Sequence, residues 1–117
     1  MYTITKRFEF SASHRLDHLP DEHQCVRLHG HNYIVEVELR SHDLDPRGFV
    51  VDYGDLKPLK EYIDGTLDHR HLNDVLPFRT TAENLAKHLY LWCSAYWPQT
   101  VAVSVSETPK TWARYTP

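Results

Sequence analysis

Apolar and polar residues alternate from Tyr2 to Phe10, with Tyr2, Ile4, Phe8 and Phe10 on one face and Thr3, Thr5, Arg7 and Glu9 on the other. Lys6 is the one exception on the apolar side. A period of two marks a half-buried strand. The alternation returns over 32–40, where Tyr33, Val35, Val37 and Leu39 face inward and Glu36, Glu38 and Arg40 outward. Carried backward, that register puts His29 and His31 on the inward side. Between these runs lies a polar, Pro-containing loop, Asp17 to Gln24. Asp43-Leu44-Asp45-Pro46-Arg47-Gly48 reads as a turn into Phe49-Val50-Val51. Helical spacing then takes over. One helix opens near Asp52 or Asp55, with Leu56, Leu59, Ile63 and Leu67 on one face and Pro58 in the first turn, where its missing N–H does little harm. A second opens on a capping box with Thr80 as cap and Glu83 at the third position, runs through Leu85, Leu89, Trp92 and Tyr96, and ends at Pro98. Val101, Val103 and Val105 alternate again, and a Thr108-Pro109 turn leads to a short strand, Trp112 to Tyr115. The ββααββ order predicts one α+β domain over 1–117, a four-stranded antiparallel sheet with two helices on one face.

Length and composition narrow the class. A chain of 117 residues can close a core without staples. Its 13 Lys+Arg against 16 Asp+Glu give a net charge of −3, which disfavours nucleic acid as a partner. No apolar run is long enough to span a membrane, and Met1 to Arg7 is not a signal peptide, so a cytoplasmic protein without a membrane partner is expected. Cys25 and Cys93 read as reduced thiols, since Cys93 falls in a helical pattern. The compositional oddity is nine histidines.

His29 and His31 are one residue apart and so project to the same side of an extended backbone. Burying two imidazoles without a shared task is costly. With His14 from a neighbouring strand they form a set of three neutral nitrogens, and zinc is the default ion for such a set. Cys25 has two readings at this point. As a fourth ligand it closes a structural site; as a free thiolate it works beside an open metal. Asp68-His69 lies in the segment joining the helices, where an aspartate can fix the tautomer of an imidazole for proton transfer if the loop brings the two together. Glu107 continues the Val101, Val103, Val105 face inward, and a carboxylate there suits a pair of N–H donors such as the 2-amino-4-oxo edge of a guanine or pterin. His18, His23, His42 and His88 read as surface or local structure. Trp92, Trp97 and Trp112 read as packing or oligomer contacts.

F-x-A-x-H (Phe10 to His14), C-x-x-x-H-G-H-N-Y (Cys25 to Tyr33), D-H-x-x-L-N (Asp68 to Asn73), T-x-E-N (Thr81 to Asn84) and S-E-T-P (Ser106 to Pro109) occur in this order over nearly the whole chain. Together they resemble the 6-pyruvoyl-tetrahydropterin synthase family, and within it the bacterial carboxy-forming branch of the queuosine pathway. The animal pyruvoyl enzymes usually place two more residues between the cysteine and H-G-H. Ala82 stands where they commonly carry a second threonine. The resemblance implies the tunnelling fold (T-fold), a hexamer built as a dimer of trimers, and pterin pockets between protomers. It implies zinc on His14, His29 and His31, proton abstraction by Cys25, acid-base assistance from Asp68 and His69, and a pterin held by Glu107 with Thr81. The implied reaction turns 7,8-dihydroneopterin triphosphate into 6-carboxytetrahydropterin, acetaldehyde and triphosphate. Two alternatives stand beside it: a pyruvoyl synthase that stops short of carbon–carbon cleavage, and a structural zinc protein without turnover.

Overall fold

The computed structural model describes residues 1–117. Strands β1 (Tyr2–His14) and β2 (His29–Ser41) pair antiparallel over their full length. The alternation of β1 does not end at Phe10: Phe8, Phe10, Ala12 and His14 are all buried on one face, so F-x-A-x-H is the last part of the strand itself. Lys6 keeps its place on that face by lying along it, its ammonium over the Phe8 ring and donating to the Tyr53 carbonyl oxygen at 3.2 Å. Strands β3 (Thr100–Thr108) and β4 (Thr111–Tyr115) complete a sheet of order β1-β2-β3-β4.

The β2–β3 register matches Val35 with Val105 and Val37 with Val103, then shifts so that Leu39 faces Thr100. Val101 is the extra residue at that irregularity, and Thr100 takes the buried place the simple alternation gives to Val101. Ser104 and Ser106 lie on the opposite face yet are buried.

Helices cover one face of the sheet. The first is not uniform. A 3-10 turn (Tyr53–Leu56) leads into α1 (Lys57–Tyr62), which widens into a π turn (Ile63–Leu67). Leu56, Leu59, Ile63 and Leu67 are nonetheless all buried, as their spacing requires. The segment read as a loop between helices contains a further short helix, α2 (Leu72–Val75), pinned by the fully buried Leu72. The long helix α3 (Ala82–Tyr96) buries Leu85, Ala86, Leu89 and Cys93. Tyr96, expected on that stripe, is exposed. The helix is capped by Thr81, whose hydroxyl accepts from the Asn84 N–H; Thr80 is not the cap. Cys25 and Cys93 are unpaired, and burial pushes the Cys93 thiol up to about 12. No helix is long and apolar enough to cross a membrane.

Candidate metal centre and pterin site

Strand register brings the histidines together. His14 faces His29 across the β1–β2 ladder, and His31 faces Ala12 one step along the same face. The three rings meet edge to face with centroids 4.5, 4.9 and 5.1 Å apart, and their ligand nitrogens lie within 4.8 Å of one another. Gly30 allows the close approach, because a Cβ there would stand 3.3 Å from the Ala12 carbonyl oxygen.

Two of the rings are oriented from behind. His14 Nδ1 lies 2.8 Å from the Thr80 carbonyl oxygen and 3.1 Å from its hydroxyl; His29 Nδ1 lies 2.7 Å from the Arg27 carbonyl oxygen. A carbonyl can only accept, so Nδ1 carries the proton in both rings and Nε2 keeps its lone pair. That is the second-sphere pattern of metal-binding imidazoles. His14 Nε2 and His31 Nε2 are buried with no hydrogen-bond partner. Burial, with His29 and His31 adding to it against the opposing Thr80 carbonyl, pushes His14 down to about 4; burial and His29 lower His31. Neutral rings with free, convergent nitrogens fit a divalent cation of zinc's type.

Cys25 is in a 3-10 turn (Gln24–Val26) whose cap is the His23 ring, accepting from the Cys25 N–H at 3.1 Å. With Gln24, His29 and His31 it lines a cavity of about 260 Å³. Its sulfur is outside the cluster of mutually close ligand atoms.

Asp68 and His69 do bond to each other, Oδ2 to Nδ1 at 2.9 Å. Neighbouring side chains rarely meet, and here they do because His69 has a left-handed backbone (φ 57°). The loop is held there by the edge of β1: the His69 N–H donates to the Ser11 carbonyl oxygen, the Ser11 N–H to Asp68 Oδ1, and the Ser13 N–H to the Arg70 carbonyl oxygen. The Ser11 N–H, with the His69 ring, lowers the Asp68 pKa. The His69 side chain is 82% exposed and is not part of the lining of the Cys25 cavity.

Glu107 sits where β3 parts from β2. Its Oε2 is 3.6 Å from His31 Nε2, and it shares a cavity of about 460 Å³ with Thr81, Ala82, Glu83 and Trp112. Burial raises its pKa, opposed by His29 and the Ala82 N–H. The sequence reading missed three groups. Thr80 orients His14 with both its oxygens, the Arg27 carbonyl does the same for His29, and the Tyr33 hydroxyl is buried near the site without a partner. Nothing local in the sequence marks Thr80, whose contact with His14 is made only in the fold; Arg27 lies two residues from His29 but acts through its main-chain carbonyl, which no residue type marks.

A four-stranded antiparallel sheet backed by helices, with a polar site where its strands end, places the protein among the T-fold proteins. The chain belongs to the 6-pyruvoyl tetrahydropterin synthase family, whose sequence profile matches residues 3–117. It is 34% identical over 131 residues to the 6-carboxy-5,6,7,8-tetrahydropterin synthase of Bacillus subtilis, covering 99% of this chain and 86% of that one. It is 37% identical over 102 residues to the 6-pyruvoyl tetrahydrobiopterin synthase of Dictyostelium discoideum, covering 76% and 74%. Among solved structures, 6-pyruvoyl tetrahydropterin synthase of Caenorhabditis elegans superposes with a TM-score of 0.86 at 30% identity, covering 99% of this chain and 95% of that one.

Proposed function

We propose that this chain is a zinc-dependent 6-carboxy-5,6,7,8-tetrahydropterin synthase, a carbon–carbon lyase converting 7,8-dihydroneopterin triphosphate and one water to 6-carboxytetrahydropterin, acetaldehyde and triphosphate. The observation that carries the reading is the set of three imidazoles, free at Nε2 on His14 and His31, with Cys25 beside them but outside the ligand cluster. Three ligands and an open position serve catalysis; a closed fourth sulfur ligand would serve structure. The similarity to the Bacillus subtilis relative over nearly the whole chain supports the carboxy product.

His14, His29 and His31 would hold the ion, and zinc bound there would supply the Lewis acidity that lowers the pKa of the substrate's side-chain hydroxyls. Glu107 receives the paired N–H groups of the pterin ring, and Thr81 at the start of α3 borders the same cavity. Cys25 removes a side-chain proton. His69, its tautomer fixed by Asp68, returns one to the ring. His69 is exposed in the protomer and outside the lining of the Cys25 cavity, and a hexamer made as a dimer of trimers would bring the two together where one protomer packs on the next. The protein acts in the cytoplasm on a small-molecule pterin, with neither nucleic acid nor membrane as partner.

The second reading, a 6-pyruvoyl synthase, is supported by the identity to the Dictyostelium discoideum relative. Mass spectrometry of the products from zinc-loaded protein and dihydroneopterin triphosphate, with an aldehyde trap present, separates the two. A carboxytetrahydropterin with trapped acetaldehyde is expected. A pyruvoyl product without aldehyde would move the assignment to the second reading, and absence of turnover would overturn both.

A further inference from the structure

The buried side-chain nitrogen and oxygen atoms left without a hydrogen-bond partner are His14 Nε2, His31 Nε2 and Tyr33 Oη, and all three belong to the inner face of the β1–β2 ladder. The two nitrogens have a use as metal ligands. The hydroxyl does not share it, and a phenylalanine would fill the same space without stranding a polar atom.

The Tyr33 ring is fully buried and fixed on both sides. It stacks on Phe10 at 4.7 Å with planes 10° apart, and His31 meets it edge-on at 5.5 Å. Register says what stands opposite. Val37 pairs with Val103, Val35 with Val105 and Ile34 with Ser106; the pairing ends there, which leaves Tyr33 and Glu107 as the first residues beyond it, on the face that Val35 and Val105 share. Both residues line one cavity of about 630 Å³ together with His31 and Asp68.

A carboxylate has about four acceptor positions. On Glu107 the paired N–H groups of a pterin edge would take two. His31 Nε2, 3.6 Å away, is a lone-pair ligand and has no proton to give when it holds a metal. Tyr33 O–H is the buried donor that remains.

We propose that Tyr33 is a positioning residue whose hydroxyl, unpartnered in the free chain, donates to the Glu107 carboxylate once a pterin ring is seated and fixes the plane in which Glu107 receives that ring. This rests on the pterin-synthase reading above. The test is fluorescence titration of zinc-loaded protein with neopterin, which has the same ring edge and no triphosphate, using wild type, Y33F, E107Q and the double variant. Zinc content and Tm are followed in each. Y33F is expected to keep its zinc and a Tm no lower than wild type while binding neopterin about tenfold more weakly, the loss of one hydrogen bond to a charged group. On the E107Q background the same substitution should change little, because its effect passes through the carboxylate. Wild-type affinity in Y33F, or an equal loss on both backgrounds, would overturn the inference and leave the pterin reading standing. Failure of the wild-type protein to bind neopterin would remove both, and the titration therefore tells the two failures apart. Should Y33F fold poorly, the Glu107→Asp variant gives the second measure: withdrawing the carboxylate from Tyr33 should weaken neopterin binding at unchanged zinc content, and undiminished binding would count against the proposal.

Discussion

Two carbonyl oxygens decide what the site imidazoles can do. The Thr80 and Arg27 carbonyls occupy the Nδ1 protons of His14 and His29, which leaves the Nε2 lone pairs facing inward. Replacing His29 with alanine removes one of three ligands and should abolish stoichiometric zinc binding. Cys25→Ala should retain about one zinc per chain and lose turnover. Metal analysis after gel filtration reads both, and zinc loss in Cys25→Ala would restore the structural reading. At this scale much was legible in the sequence. The one-residue spacing of His29 and His31 on a strand places both rings on one face without any knowledge of the fold. Thr80 was legible only as a threonine near a helix start. Its oxygens reach His14 across 66 positions of chain, and no local pattern encodes a contact of that range.

Elements show how close sequence reading comes and where it slips. Two adjacent threonines precede α3, either of which can cap a helix. The fold chooses Thr81 because Thr80 is buried against His14. Thr81→Ala should therefore cost about 1 kcal/mol in urea unfolding, and Thr81→Ser should recover most of it. The first helix is a similar case. The spacing of Leu56, Leu59, Ile63 and Leu67 fixed which side is buried, but it carried no sign that the backbone tightens before Lys57 and widens after Tyr62. The Asp68-His69 loop was the least legible element. Its shape depends on hydrogen bonds to Ser11 and Ser13 and on a left-handed histidine, and neither is a property of the loop's own residues.

At the scale of the whole molecule, helix packing ties stability to pH. His88 on α3 is 2.7 Å from the Tyr62 hydroxyl of α1 and packs beside Phe78, and burial lowers its pKa from the ordinary 6.5. Below about pH 6.5 the unfolded chain takes up a proton that the folded ring resists. Its contribution is thus complete above that pH and is lost as pH falls from 6.5 through the lower folded value. Denaturant unfolding between pH 7.5 and 5 should show a shallower decline in His88→Gln than in wild type; equal slopes would mean that His88 titrates normally. The hexamer proposed here has its own measurement. Light scattering coupled to gel filtration should give about six times the 13.8 kDa protomer mass.

The loop that fastens to β1 also divides that strand's outer edge. The Ser11 N–H and carbonyl and the Ser13 N–H are engaged by Asp68, His69 and Arg70. In an alternating ladder this leaves Thr3, Thr5, Arg7 and Glu9 as the residues whose main-chain groups still face outward. A strand added from another copy would have a runway of fixed length with a stop at Ser11. Its alignment would be set by where that runway ends. The loop holding the Asp68-His69 pair would therefore also serve as a ruler for any strand added there.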